Sequence, residues 1–507
     1  MGKIKPQILL TYISIDKKLK KTIYKQLYEQ LKEGMLKGML KPGDRMPSSR
    51  EMAKEFNVSR NSVIQVFEQL EMEGFLDTKT GAGTFISEGL NYSPSPKKAG
   101  TGKTIEVVER ALPRGNGMHD AFEGEVNELE PMLPFQQSVV SVAEFPFNLW
   151  ARVTLGVFRK IKQLHLGYDD VQGYLPLRKA LADHLRISRS INCEADQILI
   201  LSGSRQALHL AAELLLNKGD QCWMEDPGYP GAKSAIKRFG AEICPVPVNA
   251  NGIDLDYAME HYPKAKMAYV TPSHQFPLGS TMLLSERMRL LNWAGDNNMW
   301  IIEDDYDSEF RYNGRPVPAL QGMDIRGNVI YSGTFSKVLL PALRIGYMVF
   351  PTKVMARKFT IAKATIAGQS PIIDQAIVAD FITDGHFSRH IRRMRILYKE
   401  SQDYLVSLIN THLKGLLTPV PVDAGMHLVA WLPGHVDAAV IVKEALKEGI
   451  YLNTVSQFAI KFKSRQGLVL GFTGFKQSQM EAAIIKLKKI IIEESRMKKE
   501  IQSITSL

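Results

Sequence analysis

Lys337 closes the string Ser332-Gly333-Thr334-Phe335-Ser336-Lys337, which follows the strand-like run Val329–Ser332, and Asp304 follows the apolar run Trp300-Ile301-Ile302-Glu303. A lysine amine held at a strand end can condense with an aldehyde, and a carboxylate at another strand end can keep a heterocyclic nitrogen protonated. Gly203-Ser204-Arg205-Gln206 lies where the strand-like Gln197–Leu201 gives way to a helix over Arg205–Leu216. Backbone N–H groups and the helix dipole make such a junction a cradle for an anion, to which Thr334 and Arg344 could add a hydroxyl and a guanidinium. Tyr229 sits in the Pro/Gly-stiffened Glu225-Asp226-Pro227-Gly228-Tyr229-Pro230 and could lie flat on a ring, while Tyr306 could hydrogen-bond a phenolic oxygen. Singly, each has a plainer reading: a lysine after a strand is usually a surface residue, an acidic pair such as Asp304-Asp305 usually caps a helix or lines a loop, and tyrosines pack. Together they meet the demands of pyridoxal phosphate, which needs a Schiff-base lysine, a carboxylate for the pyridine nitrogen, a face for the ring and donors for the phosphate.

Positioning these groups takes a sheet. From Leu133 onward, apolar runs including Met267–Thr271 alternate with helical segments, the α/β pattern of a mainly parallel sheet with its ligand groups at the carboxyl ends of the strands. A chain of 507 residues exceeds what one core supports, so two or more domains are expected. Three textures divide it: a helical region with a hairpin over 15–88, a polar Gly/Pro/Ser linker over 89–131 containing SPSPKKAGTGKT, and the α/β region over 132–507. Gly102-Lys103-Thr104 mimics the end of a phosphate-binding loop, but Lys97 stands where its first glycine belongs.

Composition narrows the function classes. No apolar run is long enough for a membrane span and Ile8–Ser14 lacks a cleavage site before Asp16, so a cytoplasmic protein without a membrane partner is expected. Cys193, Cys222 and Cys244 are odd in number and widely spaced, which suits reduced thiols rather than disulfides or zinc. His386 and His390 have the spacing of helical metal ligands, but Arg389, Arg392, Arg393 and Arg395 surround them and would repel a cation, so no metal site is expected. That basic stretch could instead meet DNA phosphates, or be a solvated face or a dimer contact. The net charge of +11 is concentrated at the start, where residues 1–60 hold fourteen Lys/Arg against six Asp/Glu.

In that region Ile23, Leu27, Leu31 and Met35 recur at helical spacing, and Lys41-Pro42-Gly43-Asp44 ends the helix. Ser48 and Glu51 form a capping box opening a second helix that carries Met52, Ala53 and Phe56 inward and stops near Asn57. Ser59 caps a third helix with Val63, Val66, Phe67 and Leu70 on one face and Arg60, Asn61, Ser62 and Gln65 on or near the other. This is helix-turn-helix geometry, in which the third helix's first turn enters the major groove and needs forked donors such as Arg60 and Asn61. Phe75–Thr78 and Thr84–Ile86, joined by Lys79-Thr80-Gly81-Ala82-Gly83, read as a wing. A plain protein-protein module would share most of these features.

The string PGDRMPSSREMAKEFNVSRNSVIQVFEQLEMEGFLDTKTGAGTFIS resembles the GntR family of winged helix-turn-helix repressors. The resemblance implies a double-stranded DNA operator as partner and places Arg45, Ser48, Arg50, Ser59, Arg60, Asn61, Lys79, Gly83 and Thr84 where that family contacts DNA. GYDDVQGYLPLRKALADHLRISRSINCEADQILILSGSRQAL, EDPGYPG, VTPSHQFPLGS, IIEDDYDSEFRY and SGTFSKVLLPALRIGY resemble, in order and spacing, the fold type I aminotransferases, the aspartate aminotransferase-like class. Joined to the GntR-like head, the whole resembles the MocR/GabR regulators. This implies Lys337 as the Schiff-base lysine, Asp304 at the pyridine nitrogen, Tyr306 at the phenolic oxygen, Tyr229 on the ring, and Ser204, Arg205, Thr334 and Arg344 near the phosphate. It also implies a head-to-tail homodimer. The expected function is a sensor of pyridoxal phosphate, a small amine or an amino compound that is not an enzyme; the alternatives are an active aminotransferase that also binds DNA and a DNA-binding protein whose large domain is a cofactor-free dimerisation scaffold.

Two departures bear on turnover. The arginine that clamps a substrate carboxylate in the L-R-L-G-F motif of these enzymes is replaced in Leu468-Val469-Leu470-Gly471-Phe472, and Arg465 lies roughly 13 Å earlier along a strand. In VTPSHQFPLGS, Phe276 holds the position of the asparagine in the enzymes' N-P-x-G string, leaving contact of His274 or Gln275 with the cofactor open.

Overall fold

The computed structural model describes residues 10, 12–79, 81–90, 132–163, 167, 170–313 and 317–505. The chain divides into two compact units, residues 1–113 and 114–507. The segment expected as a linker lies outside the described residues beyond position 90, as do the Gly102-Lys103-Thr104 decoy and Thr80 of the wing turn.

The first unit is three helices and a hairpin: α1 (Ile23–Leu36), α2 (Ser49–Glu55), α3 (Arg60–Met72), β1 (Leu76–Lys79) and β2 (Gly83–Ile86). Each helix begins at a hydroxyl. Thr22 caps α1, Ser48 and Glu51 close both arms of a capping box on α2, and the Ser59 hydroxyl accepts from the Ser62 N–H at 3.1 Å. Asn57 adopts φ 48°, a left-handed conformation asparagine tolerates, and so ends α2 where expected. Leu27, Leu31, Met52, Val63, Val66, Leu70, Leu76 and Ile86 meet in one core, and the hairpin pairs Leu76 with Ile86 through Lys79 with Gly83.

The second unit opens with α4 (Phe147–Arg159), α5 (Leu175–Arg189), β3 (Ile198–Leu201), α6 (Ser204–Leu215), β4 (Gln221–Asp226), α7 (Pro230–Arg238), β5 (Glu242–Asn249) and β6 (Gly252–Ile253). It continues with α8 (Leu255–His261), β7 (Met267–Val270), α9 (Leu284–Asp296), β8 (Trp300–Asp305), α10 (Leu320–Met323), β9 (Val329–Thr334), β10 (Gly346–Val349) and α11 (Lys353–Ile366). Then come α12 (Ile372–Thr383), α13 (His386–His412), β11 (Thr418–Val420), β12 (His427–Trp431), α14 (Ala438–Lys447), β13 (Asn453–Thr454), β14 (Gly467–Gly471) and α15 (Gln477–Thr505).

The main sheet has the order β3-β10-β9-β8-β7-β4-β5-β6. Its central pairs are parallel, while β10 runs against both neighbours and the short β6 against β5. Buried on both faces, its strands are near-continuous apolar runs such as Ile198–Leu201. One face packs α5, α12 and α13; the opposite face packs α6, α7 and α11. The antiparallel sheet β11-β12-β14-β13 carries the C-terminal helices. Two strands outrun the expectation: β8 ends at Asp305 and β9 at Thr334, so Asp304 and Thr334 project from strands rather than from the loops beyond. Among the described residues no helix is long and apolar enough to cross a membrane, and Cys193, Cys222 and Cys244 are free and buried.

Candidate functional site

The carboxyl ends of β9, β8 and β7 and the start of α6 surround a cavity of about 360 Å³. All eight residues expected there line it: Ser204, Arg205, Tyr229, Asp304, Tyr306, Thr334, Lys337 and Arg344, joined by Ser138, Tyr269, Thr271, Phe276 and Ser336.

Asp304 is 4% exposed. The Tyr269 hydroxyl donates to its Oδ2 at 2.8 Å, while Oδ1 has no hydrogen-bond partner among the described residues. Burial pushes the carboxyl up to about 7; the Tyr269 bond opposes this and the Asp305 and Asp307 charges reinforce it. A buried carboxylate with one oxygen held and the other bare fits a cationic N–H, which would supply the missing donor and charge. Burial holds the Lys337 amine below its ordinary range, with Asp307 opposing and Arg205 assisting, which favours the neutral, nucleophilic form.

The anion cradle depends on backbone geometry. Gly203, the N-cap of α6, has φ 140°, which a side chain would strain, and a Cβ there would come within 3.9 Å of the Arg344 guanidinium. Arg344 itself takes a left-handed φ of 50° at the end of a short 3-10 turn. The Thr334 hydroxyl accepts the Ser336 N–H at 3.1 Å. One α-helix N-terminus, two guanidiniums and hydroxyls in one cavity fit a phosphate.

Tyr306 is held from behind. Its hydroxyl donates to the His274 carbonyl at 3.0 Å and lies 3.0 Å from His274 Nδ1, which also faces both Asp307 oxygens at 3.0 and 3.1 Å. His274 and Gln275 are not in the cavity lining: His274 stands behind Tyr306, and the Gln275 amide donates to Glu225 and the Pro227 carbonyl. Phe276 does line it, edge-on to Tyr229 with ring centres 5.9 Å apart.

Among the described residues, Arg205 and Arg344 are the only guanidiniums in the lining. Val469 is fully buried in β14 against Val429 and Val455, and Arg465 lies over the Trp431 ring at 5.2 Å. The histidine pair at 386 and 390 does not form a ligand set either, since His386 Nδ1 bonds Arg389 and the buried His390 ring packs edge-on against Phe145. His274, Asp307 and His427 do converge, with candidate ligand atoms within 4.8 Å of one another. His274 Nδ1 and Asp307 are hydrogen-bonded together there, and His427 Nε2 lies 3.1 Å from the Pro277 carbonyl.

Tyr269 and Thr271 escaped the sequence reading. Alternation along β7 carries the only available signal, since it puts both on the face of Met267; their part in the site becomes visible only once β7 lies beside β8.

In the first unit Arg45, Ser48, Arg50, Ser59, Arg60, Asn61 and Lys79 are exposed, and Gly83 and Thr84 half-buried. Arg45, Ser48, Gly83 and Thr84 line a groove of about 590 Å³ between α2, α3 and the hairpin. Arg45 pairs with Phe85 as an isolated bridge, and a Cβ on Gly83 would meet its guanidinium at 2.9 Å, so glycine lets the arginine cross under the wing. Arg60 donates to Ser49 at 3.4 Å, and the Lys79 amine lies 5.5 Å over the Phe85 ring. The Ser48 and Ser59 hydroxyls serve first as helix caps. Exposed cations at a capped third helix and on a hairpin tip suit the groove and backbone of duplex DNA.

Residues 23–86 match the model of bacterial regulatory proteins of the gntR family, and residues 150–485 that of aminotransferase class I and II. The chain is 37% identical over 450 residues to the probable rhizopine catabolism regulatory protein MocR of Rhizobium meliloti, covering 88% of this chain and 89% of that protein. It is 30% identical to the HTH-type pyridoxine biosynthesis transcriptional regulator PdxR of Corynebacterium glutamicum, covering 85% and 87%. The second unit resembles the Pyrococcus horikoshii kynurenine aminotransferase, crystallised with PMP, at a TM-score of 0.67 and 27% identity over 72% of this chain and 92% of that one.

Proposed function

The chain belongs to the MocR-type regulators, in which a GntR helix-turn-helix precedes an aminotransferase class I and II domain, and from that premise we propose that its large domain holds pyridoxal phosphate as a sensor and not as a working transaminase. DNA binding and transcription regulation follow from the family. The cofactor, the residues that hold it and the sensing role are the further steps.

The observation that carries the proposal is a cavity lined by every group needed to hold the cofactor, with Arg205 and Arg344 its only guanidiniums among the described residues. Asp304 offers its bare oxygen to the ring nitrogen, Lys337 offers its amine to the aldehyde, Tyr229 offers a ring face, and Tyr306, backed by His274 and Asp307, meets the phenolic oxygen. Ser204, Arg205, Thr334 and Arg344 receive the phosphate. When bound, the group supplies an electrophilic carbon for primary amines and an electron sink. With Val469 buried where a clamp would stand, α-amino acids lose a bidentate anchor, which favours recognition of an amine over turnover.

On the DNA side, Arg60 and Asn61 at the start of α3 reach base edges, while Arg45, Arg50, Lys79 and the backbone around Ser48, Ser59, Gly83 and Thr84 track phosphates. We assign the reader to 15–88, the linker to 89–131 and the sensor to 132–507, in a cytoplasmic head-to-tail homodimer whose DNA-binding arrangement the occupied cavity biases.

The test is operator affinity measured with and without pyridoxal phosphate and a panel of primary amines, at several salt concentrations, for wild type and Lys337→Ala. Ligand-dependent affinity that Lys337→Ala loses, along with the borohydride-sensitive visible band, is the expected result. Sustained turnover of amino donors and keto acceptors would favour the aminotransferase reading that the fold's neighbours represent. A colourless protein that binds operator regardless of ligand would leave the large domain as a dimerisation scaffold.

A further inference from the structure

We propose that the large domain carries a second, non-covalent site for a small organic carboxylate, on the sheet face opposite the one Asp304 serves. A cavity of about 560 Å³ lies between the C-terminal half of α5, the segment 308–311 after β8, the end of α12 and the start of α13. It is distinct from the cofactor cavity in every lining residue.

Its chemistry is divided. Ala180, Ile187, Ile382 and Ile391 give an apolar wall, and Arg311, Arg392 and Arg395 give a cationic one. Two acids share the lining. Asp183 is paired with Arg186 at 3.0 Å, and burial beside Asp305 pushes the Glu309 carboxyl up to about 7. His184, held down to about 4 chiefly by burial and then by Arg395, adds a neutral ring.

Two deeply buried groups point to a missing ligand. Ser308 is 8% exposed and Arg189 5% exposed; both line the cavity, and neither Ser308 Oγ nor Arg189 Nε has a hydrogen-bond partner among the described residues. Arg311 Nε is likewise buried without a partner. Orphaned donors at this depth are costly unless something fills the cavity. A carboxylate with a hydrocarbon body would satisfy these donors with its head and cover the isoleucines with its tail.

The two cavities share a stretch of chain. β8 sends Asp304 to the cofactor cavity and the next residue, Asp305, to Arg189 at 2.7 Å, and the chain then runs through Tyr306 to Ser308 and Arg311. One segment of eight residues therefore contributes to both cavities.

Full-length protein loaded with pyridoxal phosphate is titrated by calorimetry with glutarate, benzoate and inorganic phosphate at fixed ionic strength. At least one carboxylate should bind, with at least tenfold weakening in Arg392→Gln and in Arg311→Gln and with melting temperatures unchanged. Lys337→Ala should retain this binding, which separates the site from the cofactor reading. Binding of neither carboxylate, binding of phosphate alone, full affinity in Arg392→Gln, or loss of binding in Lys337→Ala would each overturn the proposal.

Discussion

Replacing Asp304 by asparagine should move two properties in opposite directions. In the cofactor-free protein the carboxyl is 4% exposed and pushed up from its ordinary 3.8 to about 7 by burial. The folded state then binds more protons than the unfolded one between those values, so stability falls as pH rises from about 4 to 7 and levels off above. A rise of that size corresponds to roughly 4 kcal/mol of destabilisation at pH 8. Asparagine keeps an acceptor for the Tyr269 hydroxyl and carries no charge, so cofactor-free Asp304→Asn should be the more stable protein at pH 8, by up to about 4 kcal/mol, with the advantage vanishing toward pH 4. Cofactor retention should weaken, because removing one partner of a buried ion pair costs about 3–5 kcal/mol, or roughly two to three and a half decades in affinity. Thermal melts of the cofactor-free forms across pH 5–8 read the first effect, and titration of the visible band reads the second. An Asp304→Asn protein that melts below wild type at pH 8, or binds pyridoxal phosphate within threefold of it, would refute the reasoning.

Three further outcomes are expected. Gly203→Ala must place a side chain at φ 140° and should destabilise the fold by about 1–3 kcal/mol while raising the cofactor's dissociation constant, both read by melting with and without the cofactor. Ser59→Ala removes the cap of α3 and should cost about 0.5–2 kcal/mol in chemical unfolding of the full chain, with weaker operator binding. Arg60→Ala should lose about 1–3 kcal/mol on the operator and little on random duplex, whereas Lys79→Ala should weaken both alike and reduce the salt slope by about one, as fluorescence anisotropy against salt would show.

The reader was legible because its signals are local. A hydroxyl followed three residues later by glutamate starts a helix wherever it lies in the sequence, and Ser48, Glu51 and Ser59 do what their spacing requires. Lys337, Asp304 and the Gly203 junction were legible for a related reason: in a parallel sheet every strand end opens on the same edge, so residues far apart in sequence converge without any knowledge of strand order. The linker and the domain limits, by contrast, were read from composition.

What the amino-acid sequence determined by itself was thus which residue types stand at helix starts and strand ends, and therefore the two folds and the eight groups that line the cavity. Tertiary structure alone decided that Tyr269 steadies Asp304, that His274 backs Tyr306 without lining the cavity, that Val469 lies buried among valines, and that Arg189, Ser308 and Arg311 share a second cavity. These are contacts between side chains separated by tens to hundreds of residues, set by strand order and helix packing, and no local pattern encodes a distance across a sheet.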